Sequence, residues 1–245
     1  MTGNPALNEN TFAGLSAERG AESMTVQGAV HKTAFLLLLC IVAASYTWGL
    51  YYAGSPSVMA WTIGGAIAGF VIGLVTIFKK EWSPVTGSLY AICEGLFVGG
   101  ISSALAGYYH GMVIEAVMLT FGVLAALLAA YSTGLIKATD NFKRGVVAAT
   151  GGIALLYLAT LVLSFFHIQI PLIYGSGPVG IIFSLVVVII AAMNLVLDFD
   201  FIEQGVHSGA PKYLEWYAAF SLLVTLVWLY LEILRLITKL NQRNG

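Results

Sequence analysis

The chain is short of charge. Of its 245 residues only 9% are Asp, Glu, Lys or Arg, against roughly 25% in an ordinary soluble domain. A monomer of this size with so few charges cannot cover its surface in water, which argues against a soluble enzyme. Net charge is −1, so no basic field is present to hold a phosphate backbone, and nucleic acid is not an expected partner. Cysteine is scarce as well. Cys40 and Cys93 sit in apolar runs with no CxxC spacing, and they read as small buried hydrophobes. Catalytic signatures are missing: there is no HExxH, no Ser–His arrangement and no YD plus GxGD pair. The four histidines, His31, His110, His167 and His207, fall at segment ends or in loops and read as boundary residues. The expectation is therefore a protein that is not an enzyme and needs no cofactor.

What the chain has in quantity is apolar sequence, 59% of the total. It falls into seven continuous runs, about 33–53, 57–78, 84–107, 112–136, 145–167, 176–199 and 213–238. Each is near the roughly 20 residues that a helix needs to span a bilayer. Spanning strands would alternate in polarity over about ten residues, and these runs do not. The reading is an all-α integral membrane protein with seven transmembrane helices over 33–240. Residues 1–32 form a polar segment without the pattern of a signal peptide, and 241–245 a short polar tail.

Loop charge orients the bundle. Lys32 precedes span 1. The loop between spans 2 and 3 holds Lys79 and Lys80, that between 4 and 5 holds Lys137, Lys143 and Arg144, and that between 6 and 7 holds Lys212. The alternate loops carry neither Lys nor Arg. The positive-inside bias places the N-terminus in the cytoplasm. Seven crossings then leave Arg235, Lys239 and Arg243 at the outer end, against that bias; a full crossing is nevertheless the reading taken.

Small residues describe packing. Gly65, Gly69 and Gly73 make a double GxxxG ridge on span 2, and Gly95 and Gly99 repeat the spacing on span 3. Such glycines let backbones approach closely where lipid supplies no hydrophobic drive. Packing within the chain is the expected use, and pairing of two copies through span 2 the alternative. Trp216, Trp228 and tyrosines near the helix ends fit an aromatic belt.

Ionisable groups at bilayer depth are costly and normally face a bundle interior or a water-filled cavity. The candidates are Glu94, Glu115, Asp198, Asp200 and Glu232. Glu203 and Glu215, beside the loop between spans 6 and 7, read as solvated. Asn194 precedes Asp198 by four residues and shares its helix face, which points inward. Asp200 is turned toward the cytoplasmic mouth. On span 7, Ser221, Thr225, Trp228, Glu232, Arg235 and Lys239 follow steps of three and four along one stripe. A single polar stripe on an apolar helix fits a pore-lining face. A local Glu232–Arg235 pair reaching to an interface is the alternative.

The stretches NPALNENTF (4–12), MTVQGAVHKT (24–33), CEGLFVGGIS (93–102), YSTGLIKAT (131–139), LDFDFIEQG (197–205) and EWYAAFSLLVTLVWLYLEILRLI (215–237) make the chain resemble the Bax inhibitor-1/YccA family. It looks like the bacterial branch with a polar N-terminal extension. The resemblance implies a fold with helix 7 at the centre of six others and a pH-sensitive calcium leak in a prokaryotic plasma membrane. It also implies a sensor formed by two hydrogen-bonded acids on helices 6 and 7. Asp198 takes the first place because it precedes Ile202 by four positions. Asp200 stands where the family has Gln. Glu232, in Leu229-Tyr230-Leu231-Glu232, takes the second with one methylene more than the family's Asp. Glu94 is a weaker candidate for attracting cations.

Two carboxyls brought together in a poorly solvated site share one proton, because both cannot ionise without repulsion. That hydrogen bond would link the two helices, and a change in its charge would open or close a bistable bundle. Ionised oxygens suit Ca²⁺ as hard ligands, and transient contacts would fall on Asp198, Glu232 and Glu94. Asn194, Asp200, Ser221, Thr225 and Arg235 would line the path. Two other classes stand beside this reading. One is a proton-coupled cation transporter, although no internal repeat is visible. The other is a regulatory membrane protein that binds partners such as membrane proteases or stress factors through its polar N-terminus.

Overall fold

The computed structural model describes residues 23–109, 111–166 and 175–244. Residues 1–22 of the expected N-terminal segment, His110, His167 and Gly245 lie outside them. Seven helices are long and apolar enough to cross a membrane. They are α1 (Val26–Tyr52), α2 (Val58–Phe78), α3 (Ser83–Tyr108), α4 (Met112–Ser132), α5 (Asp140–Ser164), α6 (Pro178–His207) and α7 (Leu214–Asn244). The chain is thus a multi-pass membrane protein of the all-α class.

Several helices begin or end beyond the apolar run that announces them. α1 starts seven residues earlier than the run at 33. Thr25 is its N-cap, accepting a hydrogen bond from the Gly28 amide at 2.9 Å, so His31 and Lys32 lie inside the helix rather than before it. α5 starts five residues early under the cap of Thr139, which accepts from the Phe142 amide at 3.3 Å. α6 continues eight residues past 199 before closing at Gly209, whose φ of 64° is open to glycine. There the Ala210 amide bonds the Gly205 carbonyl at 3.0 Å and the Gly209 amide bonds that of Val206 at 3.1 Å, a Schellman close. Apolar composition marks the membrane; capping marks the helix.

The chain divides into two compact units. One holds Asn8–His110 and Asp198–Val224 and so contains α1, α2, α3, the last turns of α6 and the first third of α7. Within it α1 and α2 each pack on α3 and scarcely on each other. The reason is glycine. A Cβ at Gly95 would stand 2.8 Å from the Ala43 Cβ and collide with the Cys40 carbonyl, and one at Gly99 would lie 2.6 Å from the Ala44 Cα. On the other side, a Cβ at Gly65 would come within 2.6 Å of the Cys93 carbonyl. The outward positions of α2, among them Ile63, Ile67, Phe70 and Val71, are exposed and apolar, as a lipid-facing surface is.

The other unit holds Gly111–Leu197 and Thr225–Gly245: α4, α5, the first five turns of α6 and the remaining two thirds of α7. α4 and α5 present exposed apolar faces, through Ile114, Met118 and Leu119 and through Leu155, Leu158 and Leu161. Glu115 is exposed in the first turn of α4, where its charge suits the helix dipole. α7 differs from the rest. In its apolar window 67% of positions are buried, and in no other span more than 39%. Its polar residues Ser221, Thr225, Glu232 and Lys239 are buried along with its leucines.

The glycine contacts set a sign test. Gly95→Ala forces a methyl against the α1 backbone and should cost about 1–3 kcal/mol. Gly122→Ala on α4 meets open space and should be neutral or slightly stabilising, because alanine is the better helix former. Thermal melting of both variants in detergent checks this, with opposite shifts expected.

Candidate functional site

α6 turns a buried polar face inward. Asn194 and Asp198, four residues apart, are 2% and 1% exposed. The Asn194 amide nitrogen donates to the Thr150 hydroxyl of α5 at 2.9 Å and to the Ile190 carbonyl at 2.8 Å. Asp198 Oδ1 accepts from the Ser221 hydroxyl of α7 at 3.0 Å. Two residues on, Asp200 is only half-buried and accepts from Gln204 Nε2 at 2.6 Å, one turn further toward the helix end.

Glu232 lies in a different set of partners. Its side chain is 2% exposed. The Tyr157 hydroxyl of α5 donates to Oε1 at 2.9 Å, the Trp228 indole donates at 3.3 Å, and Arg235 Nη1 reaches both oxygens at 3.0 Å. Arg235 also donates to the Tyr157 oxygen and lies over that ring, 5.0 Å from its centroid. The local Glu232–Arg235 pair weighed as the alternative for this stripe is therefore formed, on a tyrosine that the sequence did not single out. One turn further, Lys239 is buried and donates to the Gly180 carbonyl of α6 at 3.0 Å.

Ser221 bonds Asp198, and Tyr157, Trp228 and Arg235 bond Glu232. Ser221 and Glu232 are eleven residues apart on α7, about 16 Å along the axis at 1.5 Å per residue. Thr225 is buried between them. Glu94, on α3, is half-buried beside Tyr90. Among the described residues no three His, Cys, Asp or Glu side chains gather as a metal site.

Glu215 departs from its expected solvation. Glu203 is exposed, but the Glu215 side chain is 0% exposed. It pairs with Lys32 and accepts from both the amide and the hydroxyl of Thr25 at 2.9 Å. It thus satisfies the amide of the N-cap residue of α1 and sits at the positive end of that helix dipole. Gly28 makes this fit, since a Cβ there would overlap the carboxylate. Lys32 lies over the Trp216 ring at 5.5 Å from the centroid. Beside the clasp, the Met24 amide donates to the Ala210 carbonyl at 2.7 Å and Ser23 bridges to Pro211. No local signal announces the contact: Lys32 and Glu215 are 183 positions apart. Outside the membrane-spanning segments, burial and the nearby Glu81 raise the Tyr213 phenol above its ordinary pKa.

Removing the clasp should be costly. Glu215→Ala strands Lys32 and uncaps α1, a loss of about 2–3 kcal/mol for charge-assisted bonds. Glu203→Ala, at an exposed site, should change melting little. Thermal melting of the two variants in detergent measures the difference.

No curated protein and no solved structure matches the chain. The family model for Bax inhibitor 1 like proteins matches residues 4–242, which is nearly the whole sequence, and the chain belongs to that family.

Proposed function

We propose that the protein is a pH-sensitive cation leak, permeable to calcium, in which Asp198 and Glu232 are the protonatable groups of the gate. The observation that carries the reading is a buried carboxyl on α6 bonded to α7: Asp198 on Ser221 at 3.0 Å, on the same stripe of α7 that carries Thr225, Glu232 and Arg235. Each acid has donors of its own: the Ser221 hydroxyl at Asp198, and Tyr157, Trp228 and Arg235 at Glu232. A hydroxyl-to-carboxylate bond is stronger than the same bond to a neutral carboxyl. Taking up a proton at Asp198 therefore loosens the α6–α7 link, and a packed bundle with two arrangements converts that into a change of opening. Weak oxygen contacts spaced along α7 suit a leak, because ions must leave as readily as they enter.

We read the N-terminus as cytoplasmic, in a prokaryotic plasma membrane. The charges that opposed this orientation are Arg235, Lys239 and Arg243. The first is neutralised locally by Glu232, three residues away, and the second is buried on the Gly180 carbonyl. Arg243 alone is then left to weigh against the eight basic residues of the other loops and of the N-terminal end.

The test is calcium entry into proteoliposomes followed with an entrapped indicator, from mildly acidic to mildly alkaline pH. Wild-type flux should change with pH. In Asp198→Asn with Glu232→Gln, flux should persist and lose most of that change. Pronounced pH dependence in the double variant overturns the sensor role. Flux that saturates and follows an imposed proton gradient identifies a coupled transporter instead.

A further inference from the structure

α3 carries a single carboxyl deep in the membrane. Glu94 is eleven residues past Ser83 and fourteen before Tyr108, about 16 Å and 21 Å from the two ends. A hydrocarbon core is about 30 Å thick, so this carboxyl lies near its middle. It has no part in the α7 stripe and is independent of the proposed leak.

Its surroundings are mapped by glycine. A Cβ at Gly69 of α2 would stand 3.3 Å from Glu94 Oε2, and one at Gly73 would stand 3.4 Å from the Tyr90 ring. The α2 ridge therefore faces the carboxyl and the phenol with backbone only. Tyr90 is buried, packs edge-on against Phe220 with ring centroids 4.9 Å apart, and interacts with Glu94 one turn away. The other titratable groups beside Glu94 are Cys93 on α3 and Cys40 on α1. α2 contributes none over Val58–Phe78. Among the described residues no Lys or Arg pairs with Glu94. Lys32 is taken by Glu215, and Lys80 lies over the Tyr217 ring.

An isolated carboxylate at the bilayer centre is expensive, and such a group neutralises instead. One carboxyl and one phenol also fall well short of the six to eight oxygens that Ca²⁺ takes. We propose that Glu94 is a proton-binding site in the seam between α2 and α3, occupied by a proton at neutral pH and not by calcium. Losing that proton places a charge against the glycine seam and draws water into it. The site thus adds a proton-sensitive element to α1–α3, apart from the acids of α6 and α7.

The test uses wild-type protein in proteoliposomes and the lipid-soluble reagent N,N′-dicyclohexylcarbodiimide. A protonated carboxyl adds across the carbodiimide: the acid O–H proton goes to nitrogen, the oxygen bonds to carbon, and the adduct rearranges to a stable N-acylurea with no leaving group. Peptide mass spectrometry should find Glu94 modified at neutral pH, with the rate falling several-fold at alkaline pH and unchanged by calcium chloride. A water-soluble carbodiimide with an added amine should modify Glu203 and spare Glu94. Glu94→Gln, which mimics the neutral acid, should melt close to wild type. An unmodified Glu94, a rate independent of pH, protection by calcium, or a large loss of stability in Glu94→Gln each overturns the proposal.

Discussion

A carboxyl group withdrawn from water has to be neutralised, paired or supplied with donors, and the polar interior of this bundle is arranged around that demand. An effective penalty of several kcal/mol falls on each ion that loses its water. Glu215 meets it with an ammonium and the amide of Thr25, the N-cap of α1. Glu232 meets it with a guanidinium, a phenol and an indole. Asp198 takes a hydroxyl from the neighbouring helix. Such pairs return the desolvation cost and leave little over, so they do not hold the bundle together by themselves. What they fix is register, because each acid is satisfied only when one residue of another segment stands opposite it.

The partner sets differ in reach. Arg235 and Trp228 come from the same helix as Glu232, within one turn, and are in place as soon as α7 forms. Tyr157, Thr25 and Lys32 come from segments 75 or more positions away, Ser221 comes from the next helix, and all four exist as partners only after packing. α7 therefore carries its own compensation at Glu232 and borrows it at Glu215. Along the buried stripe of α7, Ser221, Trp228, Glu232, Arg235 and Lys239 each have a hydrogen-bond partner.

The seven spans were legible because hydropathy reports the bilayer directly, and all seven helices correspond to apolar runs. The boundaries of α1 and α6 were not, because their ends run on through polar residues under caps that hydropathy cannot register. The acids at depth were likewise legible as residues, since a charge inside an apolar run stands out. Their partners were not. Tyr157 is an ordinary aromatic until Glu232 is placed against it, and Glu215 resembles any acid beside a basic loop until α1 is known to begin at Val26. Within this chain Ser221 stands in contact with Asp198, and a serine among leucines carries no mark of that role.

The glycine ridge of α2 admitted two uses by sequence, close packing within the chain or contact with a second copy. The structure spends it on the first. Gly65 brings the α2 backbone against the Cys93 carbonyl, Gly69 faces the Glu94 carboxyl and Gly73 lies by the Tyr90 ring. All three are buried, while the exposed face of α2 is formed by Ile63, Ile67, Phe70, Val71 and Leu74. A ridge already closed over by α3 has no surface left for a second copy without unpacking α2 first. Bulky, branched side chains on the other face keep backbones apart and interact with lipid tails about as well as with another apolar helix. The ridge is thus internal to the unit, and its central glycine does more than permit contact: it leaves a carboxyl at mid-membrane depth facing bare backbone.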